Sequence, residues 1–349
     1  MKKAIFAIVY CILAAAFTVY VVLTTFFVKS TPDININISA ALTKTPTPTL
    51  TPTPTPEILA VPTNVPVEDP DLKPTLTPTS TPTPTPTMAP VWTENSYTDS
   101  NMAVTITKYR EYNSDIFVVD VVLNSVDLLK TQLASVVRGG NWEVVSDISK
   151  ACDNLILSIN GDCWASRNGY SIKNGVLIRD SITKYTKTLT SEEPGQEDYV
   201  IFSDGTAKVI KEGEVTAEEL IEMGAWQLFN FGPALIEDHK NVSRTSVSTS
   251  NVAKETAPRT AIGVMDDLHY VFIVVDGRSW TQKLNFMNKG VTCYQLADFA
   301  MKLGVESLYN LDGGGSSTLY FNGEVINNPC RNGKKIEEQT VSDIIYVGY

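Results

Sequence analysis

A long stretch of threonine and proline limits which part of this 349-residue chain can form a folded domain. From Thr43 to about Pro90 the sequence is dominated by runs such as TKTPTPTLTPTPTP and KPTLTPTSTPTPTPT. Proline fixes φ and removes a backbone donor, so this stretch cannot form a regular helix or a sheet. We expect a disordered, extended spacer of polyproline II type, with a rise of about 3.1 Å per residue. We assign residues 31–91 to this Thr/Pro-rich stalk, which confines the folded domain to residues 92–349.

The segment before the stalk has the features of a membrane anchor. Two lysines precede a run from Ala4 to Val28 that contains no charged residue. At about 1.5 Å per residue this run can cross a hydrocarbon core of about 30 Å, whereas the apolar region of a cleaved signal has about 7–15 residues. We interpret residues 1–30 as a cytoplasmic lysine cap and a single transmembrane anchor, with a cleaved signal peptide as the alternative. The anchor would hold the remaining chain outside a bacterial cell membrane.

The overall charge and the few histidines argue against two classes of partner. The formal net charge is −11, and nucleic-acid binding rests on neutralising phosphates with lysine and arginine, so nucleic acid is not expected. With two histidines and no Cys-x-x-Cys pair, no metal site of the zinc type is predicted. No cofactor is predicted either. Acid-rich loops can hold Ca²⁺, but no EF-hand-like spacing occurs, so the use of a divalent cation stays open.

Cysteine pairing is also left open by the sequence. Outside a cell, disulfides can persist, and four cysteines can pair in three ways. The cysteines beyond the predicted anchor are Cys152, Cys163, Cys293 and Cys330.

Strand patterns dominate the part of the chain that can fold. Alternating or continuous β-rich runs occur in MAVTITKYR, SDIFVVDVVL, LILSIN, GVLIR, YVIFSD, AKVIK, TAIGVM, HYVFIVVDG, STLYFNGEVI and SDIIYVGY. Hairpins are predicted at Asp204-Gly205 and at Asn322-Gly323. Two helices are predicted, one in TAEELIEMG with Thr216 as N-cap and one in CYQLADFAMKLG. We therefore expect an α+β fold, a single domain with a mixed, mainly antiparallel sheet and a few helices.

The stretch NLDGGGSST, residues 310–318, is the first candidate for a functional site. A packed core has no use for three consecutive glycines, since each loses more backbone freedom on folding than another residue would. Asp312 is predicted at a strand end, beside backbone N–H groups that can form a nest for an oxyanion. The alternative is a tight turn that Asp312 caps. The residues assigned to the site are Asp312, Gly313, Gly314, Gly315 and Ser316.

Two charged residues are predicted at the ends of other strands. In VFIVVDGR a continuous apolar run, typical of a strand buried on both faces, ends in Asp276, which would lie at the sheet edge. An ordinary Asp-Gly turn is the alternative. In APRTAIGV, Arg259 follows a proline and opens a strand, and a guanidinium is a natural clamp for phosphate or carboxylate. A solvated surface arginine is the alternative.

Two loops complete the set of candidates. In LSINGDCWASRNGY, Asn160 and Gly161 end a strand, so Asn160 can bind a hydroxyl and Trp164 can stack on a sugar ring. The alternatives are a common Asn-Gly-Asp turn and a core tryptophan. In FNFGPALIED, Gly232 precedes a proline, and this motif alone predicts only a turn.

Together, NGDCW, FGPAL, PRTAIGV, VVDGR and LNLDGGGSST resemble the phosphodiester glycosidase domain in their order and approximate spacing, over roughly Asp153 to Tyr349. This resemblance implies cleavage between C1 of a sugar and a phosphodiester. It implies site roles for Asn160, Gly161, Gly232, Arg259, Asp276 and the loop from Asp312 to Ser316. Two features depart from the family. Cys163 stands between the Asn-Gly-Asp step and Trp164, and Glu338-Gln339-Thr340 stands where the family tends to carry an arginine.

The residue types fit such a reaction. Glycosidic cleavage develops positive charge on the sugar ring and negative charge on the leaving oxygen, and paired carboxylates supply the acid and the base or nucleophile. Asp276 and Asp312 are the candidates, with their roles unassigned. Arg259 and the Gly313–Gly315 amides would stabilise the departing phosphate as preorganised electrostatics. Ser316 and Ser317 lack an evident base, so a serine nucleophile is not favoured.

We therefore expect an extracytoplasmic hydrolase of sugar-1-phosphodiesters in cell-wall or exopolysaccharide glycans. Its partners would be a carbohydrate or glycan-phosphate substrate and, through the N-terminal helix, the membrane. Two alternatives use the same pocket, namely a non-catalytic carbohydrate-binding or wall-organising module and a glycosyl transferase.

Overall fold

The computed structural model describes residues 88–137, 140–166, 169–180, 197–245, 251–278, 288–331, 333 and 335–349. The predicted anchor and nearly all of the predicted stalk lie outside these residues. Within them, no helix is long and apolar enough to cross a membrane.

The described residues form nineteen strands, four α-helices and two short 3-10 turns. The strands are β1 Val91–Trp92, β2 Ser96–Thr98, β3 Met102–Glu111, β4 Ser114–Leu123, β5 Leu129–Leu133, β6 Leu155–Asn160, β7 Ser171–Lys173, β8 Val176–Arg179, β9 Glu197–Phe202, β10 Ala207–Lys211, β11 Ala225–Phe229, β12 Ala234–Glu237, β13 Lys240–Asn241, β14 Arg259–Asp266, β15 His269–Val275, β16 Ser307–Asn310, β17 Leu319–Phe321, β18 Glu324–Val325 and β19 Asp343–Gly348. The helices are α1 Val145–Lys150, α2 Ala217–Glu222, α3 Asn251–Lys254 and α4 Cys293–Met301, and the 3-10 turns are Val126–Leu128 and Gly314–Ser316.

The strands are divided among four sheets rather than collected in one. A nine-stranded sheet has the order β1-β2-β3-β4-β15-β14-β16-β12-β13, and a five-stranded sheet has the order β18-β17-β6-β19-β5. Smaller sheets have the orders β10-β9-β11 and β7-β8. Neighbouring strands in all four sheets are antiparallel. This confirms the expected α+β class with mainly antiparallel strands and few helices. The division has a physical reason, since strongly twisted sheets rarely grow beyond about ten strands without splitting or curling.

Both faces of the nine-stranded sheet are covered. On one face, residues such as Phe272 pack in a common core with Leu157 and Ile345 of the five-stranded sheet. On the other face, Ile273 packs in a core with Leu296 of α4. Successive residues of a strand point to opposite faces, so covering both faces requires a continuous apolar run. This confirms that the strand in VFIVVDGR is buried on both sides, as six of the seven residues of β15 are buried.

The register of the large sheet brings several strand ends to one edge. The start of β4 pairs with the end of β15 at Ile116 and Val275, and Val275 also pairs with Arg259 at the start of β14. On the other side of β14, Ala261 pairs with Asn310 at the end of β16. Because neighbouring strands are antiparallel, the loops that follow β15 and β16 leave the sheet beside the segment that enters β14. The segment that enters β12 lies at this edge too, since the start of β12 pairs with the end of β16. The fold therefore gathers four of the five motifs at this edge.

Candidate active site

Asn160, the last residue of β6, connects the edges of the two largest sheets. Its Oδ1 accepts hydrogen bonds from the Thr260 hydroxyl at 2.7 Å and from the Thr318 N–H at 3.3 Å. Its Nδ2 donates to the carbonyl of Asp312 at 2.7 Å. The side chain is fully buried and joins three of the predicted motifs directly. Its predicted bond to a substrate hydroxyl stays a prediction.

The three consecutive glycines lie against other parts of the chain. A Cβ on Gly313 would stand 2.9 Å from the carbonyl oxygen of Pro258, and a Cβ on Gly315 would stand 2.5 Å from Oε1 of Gln339 and 3.0 Å from the Cα of Arg331. Contacts under about 3 Å leave no room for a side chain. The glycines are therefore required by close backbone approach, which a simple surface turn would not need.

Hydrogen bonds within the protein hold the glycine turn. The Gly313 N–H donates to Oδ1 of Asp312 at 2.9 Å, and the Gly314 N–H donates to the carbonyl of Pro258 at 2.9 Å. Two of the three amides proposed as an oxyanion nest are therefore already bonded within the chain. Asp312 itself is half-buried at the start of this turn. Its catalytic role stays a prediction.

Several polar atoms in this stretch are buried without a hydrogen-bond partner among the described residues. They are Oδ1 of Asn310, Oγ of Ser317 and Oγ1 of Thr318. Leaving a buried polar group unsatisfied costs about 1–3 kcal/mol, so folded proteins rarely keep such groups without a reason. All three lie within the nine residues 310–318.

Asp276 lies just after β15 and is 2% exposed. Its Oδ1 accepts hydrogen bonds from Nδ2 of Asn327 and from the N–H of Asn328, both at 3.0 Å, and its Oδ2 accepts from Nδ2 of Asn328 at 2.9 Å. Burial raises the pKa of Asp276, the bonds from the asparagines lower it in part, and the negative charge of Asp115 raises it. The carboxylate thus holds the segment that follows β18. Its proposed catalytic role stays a prediction.

Arg259 also points into the protein. The residue is 4% exposed, and its guanidinium donates to the carbonyls of Val291 at 3.1 Å and of Glu255 at 2.5 Å. These bonds fix the chain before β14 and the loop before α4. The phosphate contact predicted for Arg259 stays a prediction.

The remaining predicted residues, Gly232 and Trp164, lie in loops. Gly232 has a φ of 74° before a cis peptide bond to Pro233, and its carbonyl accepts a hydrogen bond from Nδ2 of Asn310 at 2.8 Å. Trp164 is 3% exposed, and its indole N–H donates to the carbonyl of Ser342 at 3.2 Å. Stacking of a sugar on Trp164 would require the surrounding turn to open, because its ring is enclosed.

A cluster of buried charges behind Asn160 was not predicted from the sequence. Nζ of Lys173 lies 3.1 Å from Oδ1 of Asp162, and both side chains are at most 3% exposed. Asp343, at the start of β19, is fully buried beside them. Burial, followed by the negative charge of Asp162, raises the pKa of Asp343 to about 7. An isolated acid before the apolar run DIIYVG is the one sequence signal that could have indicated Asp343.

The position of Asp343 also explains why residue 161 is a glycine. A Cβ on Gly161 would stand 1.9 Å from Oδ2 of Asp343, and the Gly161 N–H donates to the Asp343 carbonyl at 2.9 Å. The N–H of Trp164 donates to Oδ1 of Asp343 at 3.4 Å. Asp343 therefore holds the Asn-Gly-Asp turn through these hydrogen bonds, and Asn160 of the same turn is bonded to the carbonyl of Asp312.

The parts of the chain that the structure describes contain neither a disulfide nor a cluster of metal-ligating side chains. The four cysteines form no disulfide with one another. Cys163, in the same turn, has its pKa raised to about 12 by burial, with the negative charges of Asp312 and Asp343 adding to the effect of burial. Its thiol is therefore neutral near pH 7 and a poor nucleophile. No group of three or more His, Cys, Asp or Glu side chains in the described ranges is arranged to hold a metal ion.

Comparisons with known proteins identify the family of this domain. The family model of the phosphodiester glycosidase domain matches residues 153–348. The SPbeta prophage-derived uncharacterized protein YomE of Bacillus subtilis (strain 168) is 36% identical over 194 residues, which are 54% of this chain and 27% of that protein. Human N-acetylglucosamine-1-phosphodiester alpha-N-acetylglucosaminidase is 24% identical over 183 residues, which are 48% of this chain and 34% of that protein. The matched parts thus span about a third or less of these two relatives.

A solved structure shares the fold. The catalytic domain of zebrafish N-acetylglucosamine-1-phosphodiester alpha-N-acetylglucosaminidase, auto-inhibited by its pro-peptide, superimposes with a TM-score of 0.52 at 18% identity. The match covers 71% of this chain and 83% of that one. Because the family model covers more than half of the chain and includes all five motifs, the resemblance is confirmed, and this chain belongs to the phosphodiester glycosidase family.

Proposed function

We propose that this protein hydrolyses sugar-1-phosphodiesters, releasing the sugar from the phosphate. The observation that carries the proposal is the junction at Asn160, whose side chain joins the NGD turn to the strand of PRTAIGV and to Asp312 of the glycine turn. The junction brings three of the family motifs, which are far apart in the sequence, into direct contact. Family membership supports the choice of reaction.

In the proposed reaction, water replaces the phosphate at C1 of the sugar. The bond between C1 and the phosphate oxygen breaks, that oxygen leaves with its electron pair on a phosphomonoester, and a water oxygen forms the new bond to C1. A carboxylate stabilises the positive charge on the ring or accepts the water proton. Asp312 is the better placed of the two predicted carboxylates, since it is half-buried whereas Asp276 is enclosed by asparagine donors. We assign Asp276 to positioning the site.

The cellular setting is part of the proposal and rests on the sequence. A membrane anchor followed by a Thr/Pro-rich stalk would present the domain outside the membrane, within reach of cell-wall or exopolysaccharide glycans. Such glycans, joined through sugar-1-phosphodiester links, are the substrate class that we propose. A carbohydrate-binding module and a glycosyl transferase are the competing functions for the same site.

The test is a screen of the purified protein against α- and β-linked sugar-1-phosphodiesters, with and without EDTA. Asp312→Asn is expected to abolish turnover while substrate binding persists, because the amide keeps the shape and loses the charge. Asp276→Asn is expected to lower stability as well, since its new N–H₂ group would face the donors of Asn327 and Asn328. Asp147→Asn, at an exposed carboxylate on α1, is the matched control and should retain wild-type rates.

Each competing function has its own outcome in this screen. Binding without turnover for every substrate would favour the carbohydrate-binding module. Product formation that depends on a sugar acceptor rather than on water would favour the transferase. Full activity of Asp312→Asn would refute the proposed role of this carboxylate.

A further inference from the structure

Arg278 lies directly on the glycine turn. It follows Asp276-Gly277 at the end of β15, and a Cβ on Gly314 would stand 3.1 Å from its Nη1, 3.6 Å from its Cζ and 3.7 Å from its Nη2. The guanidinium therefore rests against the bare Cα of Gly314. Both residues have left-handed backbone, with a φ of 56° at Arg278 and 65° at Gly314. Such a φ is uncommon for a residue other than glycine, and it indicates that the fold holds Arg278 in this place.

The two arginines near the turn differ in what they can offer to a ligand. Arg259 is 4% exposed and bonded to main-chain carbonyls, whereas the side chain of Arg278 is 31% exposed. The acidic partner of Arg278 is Glu255, at 3.6 Å, and that side chain is itself 61% exposed. An exposed pair of this kind contributes little to stability. A phosphate that binds the guanidinium through two parallel hydrogen bonds would form the stronger interaction.

We propose that Arg278, not Arg259, is the cation that binds the phosphate group of the substrate. This inference rests on the proposed function, because it names the group that recognises the leaving phosphate. The guanidinium is fixed beside the turn that begins with Asp312, so a phosphate bound there would bring the adjoining C1 towards that carboxylate. As the C1–O bond breaks, negative charge grows on the phosphate, and a fixed guanidinium stabilises that charge. Glycine suits position 314 because its φ is 65° and because a Cβ there would press on the guanidinium.

The experiment measures phosphate binding and turnover separately. Inorganic phosphate and a sugar-1-phosphate are titrated into the full-length protein by calorimetry, and kcat/KM is measured with the best sugar-1-phosphodiester from the screen. Arg278→Gln is expected to weaken phosphate binding markedly and to lower kcat/KM on the order of 100-fold, the usual effect of removing one electrostatic donor from a transition state. Arg278→Lys should be intermediate, since an ammonium cannot form the bidentate pair. Glu255→Gln should strengthen phosphate binding, because the competing carboxylate is removed.

The control is Arg244→Gln, which removes an arginine that is 61% exposed and lies 3.5 Å from Asp298 of α4. This variant should bind phosphate and turn over substrate like the wild type. Unchanged phosphate affinity and kcat/KM in Arg278→Gln would overturn the inference. Should that variant fail to fold, unchanged phosphate affinity in both Arg278→Lys and Glu255→Gln would overturn it equally. If the wild type binds phosphate through Arg278 but hydrolyses no phosphodiester, the proposed function fails and the assignment of Arg278 stands.

Discussion

Asp343 is expected to make the folded protein less stable as the pH rises from about 4 to about 7. Burial and the negative charge of Asp162 raise the pKa of Asp343 from 3.8 to about 7, while the charge of Lys173 opposes this. Since each pKa unit corresponds to about 1.4 kcal/mol, ionising this carboxyl is harder by roughly 4 kcal/mol in the folded protein than in the unfolded chain. The group is fully buried, so solvent does not screen this difference.

Proton linkage sets the direction in which stability changes with pH. A folded-state pKa above the unfolded one means that the folded protein binds the proton more tightly. The contribution of Asp343 to the free energy of unfolding is therefore fully present below about pH 4 and is lost as the pH rises to about 7. Between pH 5 and pH 8 the loss is about 3 kcal/mol, or roughly 6–12 °C in Tm for a domain of this size.

The perturbation is Asp343→Asn. The amide cannot ionise, and its oxygen can still accept from the Ser342 hydroxyl and the Trp164 N–H, which lie 2.9 and 3.4 Å from Oδ1 of Asp343. The free energy of unfolding is measured with urea at intervals from pH 4 to pH 8.5. Between pH 5 and pH 8, the free energy of unfolding of the variant should rise by about 3 kcal/mol relative to that of the wild type. The exposed control Asp147→Asn should follow the wild-type curve. A difference between wild type and Asp343→Asn that is constant across this range would refute the reasoning.

Two further predictions concern stability. Gly161→Ala would place a Cβ 1.9 Å from Oδ2 of the buried Asp343, so we expect a loss of roughly 3 kcal/mol, read from urea unfolding; wild-type stability would contradict the contact. Thr216→Ala removes the side chain that accepts from the N–H of Glu219 in the capping box of α2, with an expected loss of about 1 kcal/mol. Thr216→Ser keeps the oxygen and should keep most of the stability, and equal losses in both variants would argue against capping.

Local signals predicted much of the fold. The hairpin at Asn322-Gly323 forms with φ values of 49° and 89°, as a two-residue turn of this sequence requires. The capping box at Thr216 is present, with both of its hydrogen bonds. By contrast, α1 begins after Val144, which makes no side-chain cap bond, so no residue indicated its start. The pairing of β16 with β14 and β12 also could not be read locally, because it joins strands distant in the chain.

The site was predicted as a set of segments but not as a set of side-chain directions. The sequence indicated that Asp276, Arg259 and Asp312 would stand at strand ends, and the sheet register places these strand ends at one edge. The direction of a side chain at a strand end depends on the hydrogen-bond acceptors and the free space that neighbouring segments provide. Arg259 turns inward because main-chain carbonyls accept its guanidinium. Arg278 rests on the turn because Gly314 has no side chain.

Several locally unfavourable features lie in or beside the motif segments, although left-handed non-glycine residues also occur elsewhere in the described residues. Cys163 and Arg278 have left-handed backbone without being glycine, and Asp343 is a carboxyl with a strongly raised pKa. The buried hydroxyl oxygens of Ser317 and Thr318 find no hydrogen-bond partner among the residues that the structure describes. Each feature costs on the order of 1–3 kcal/mol or more. The two cores on either face of the large sheet offset these costs by burying apolar side chains. Features of this kind are expected at functional sites, so those in the glycine turn, together with the close approach of Arg278 to Gly314 and the junction at Asn160, favour a site there over a structural corner.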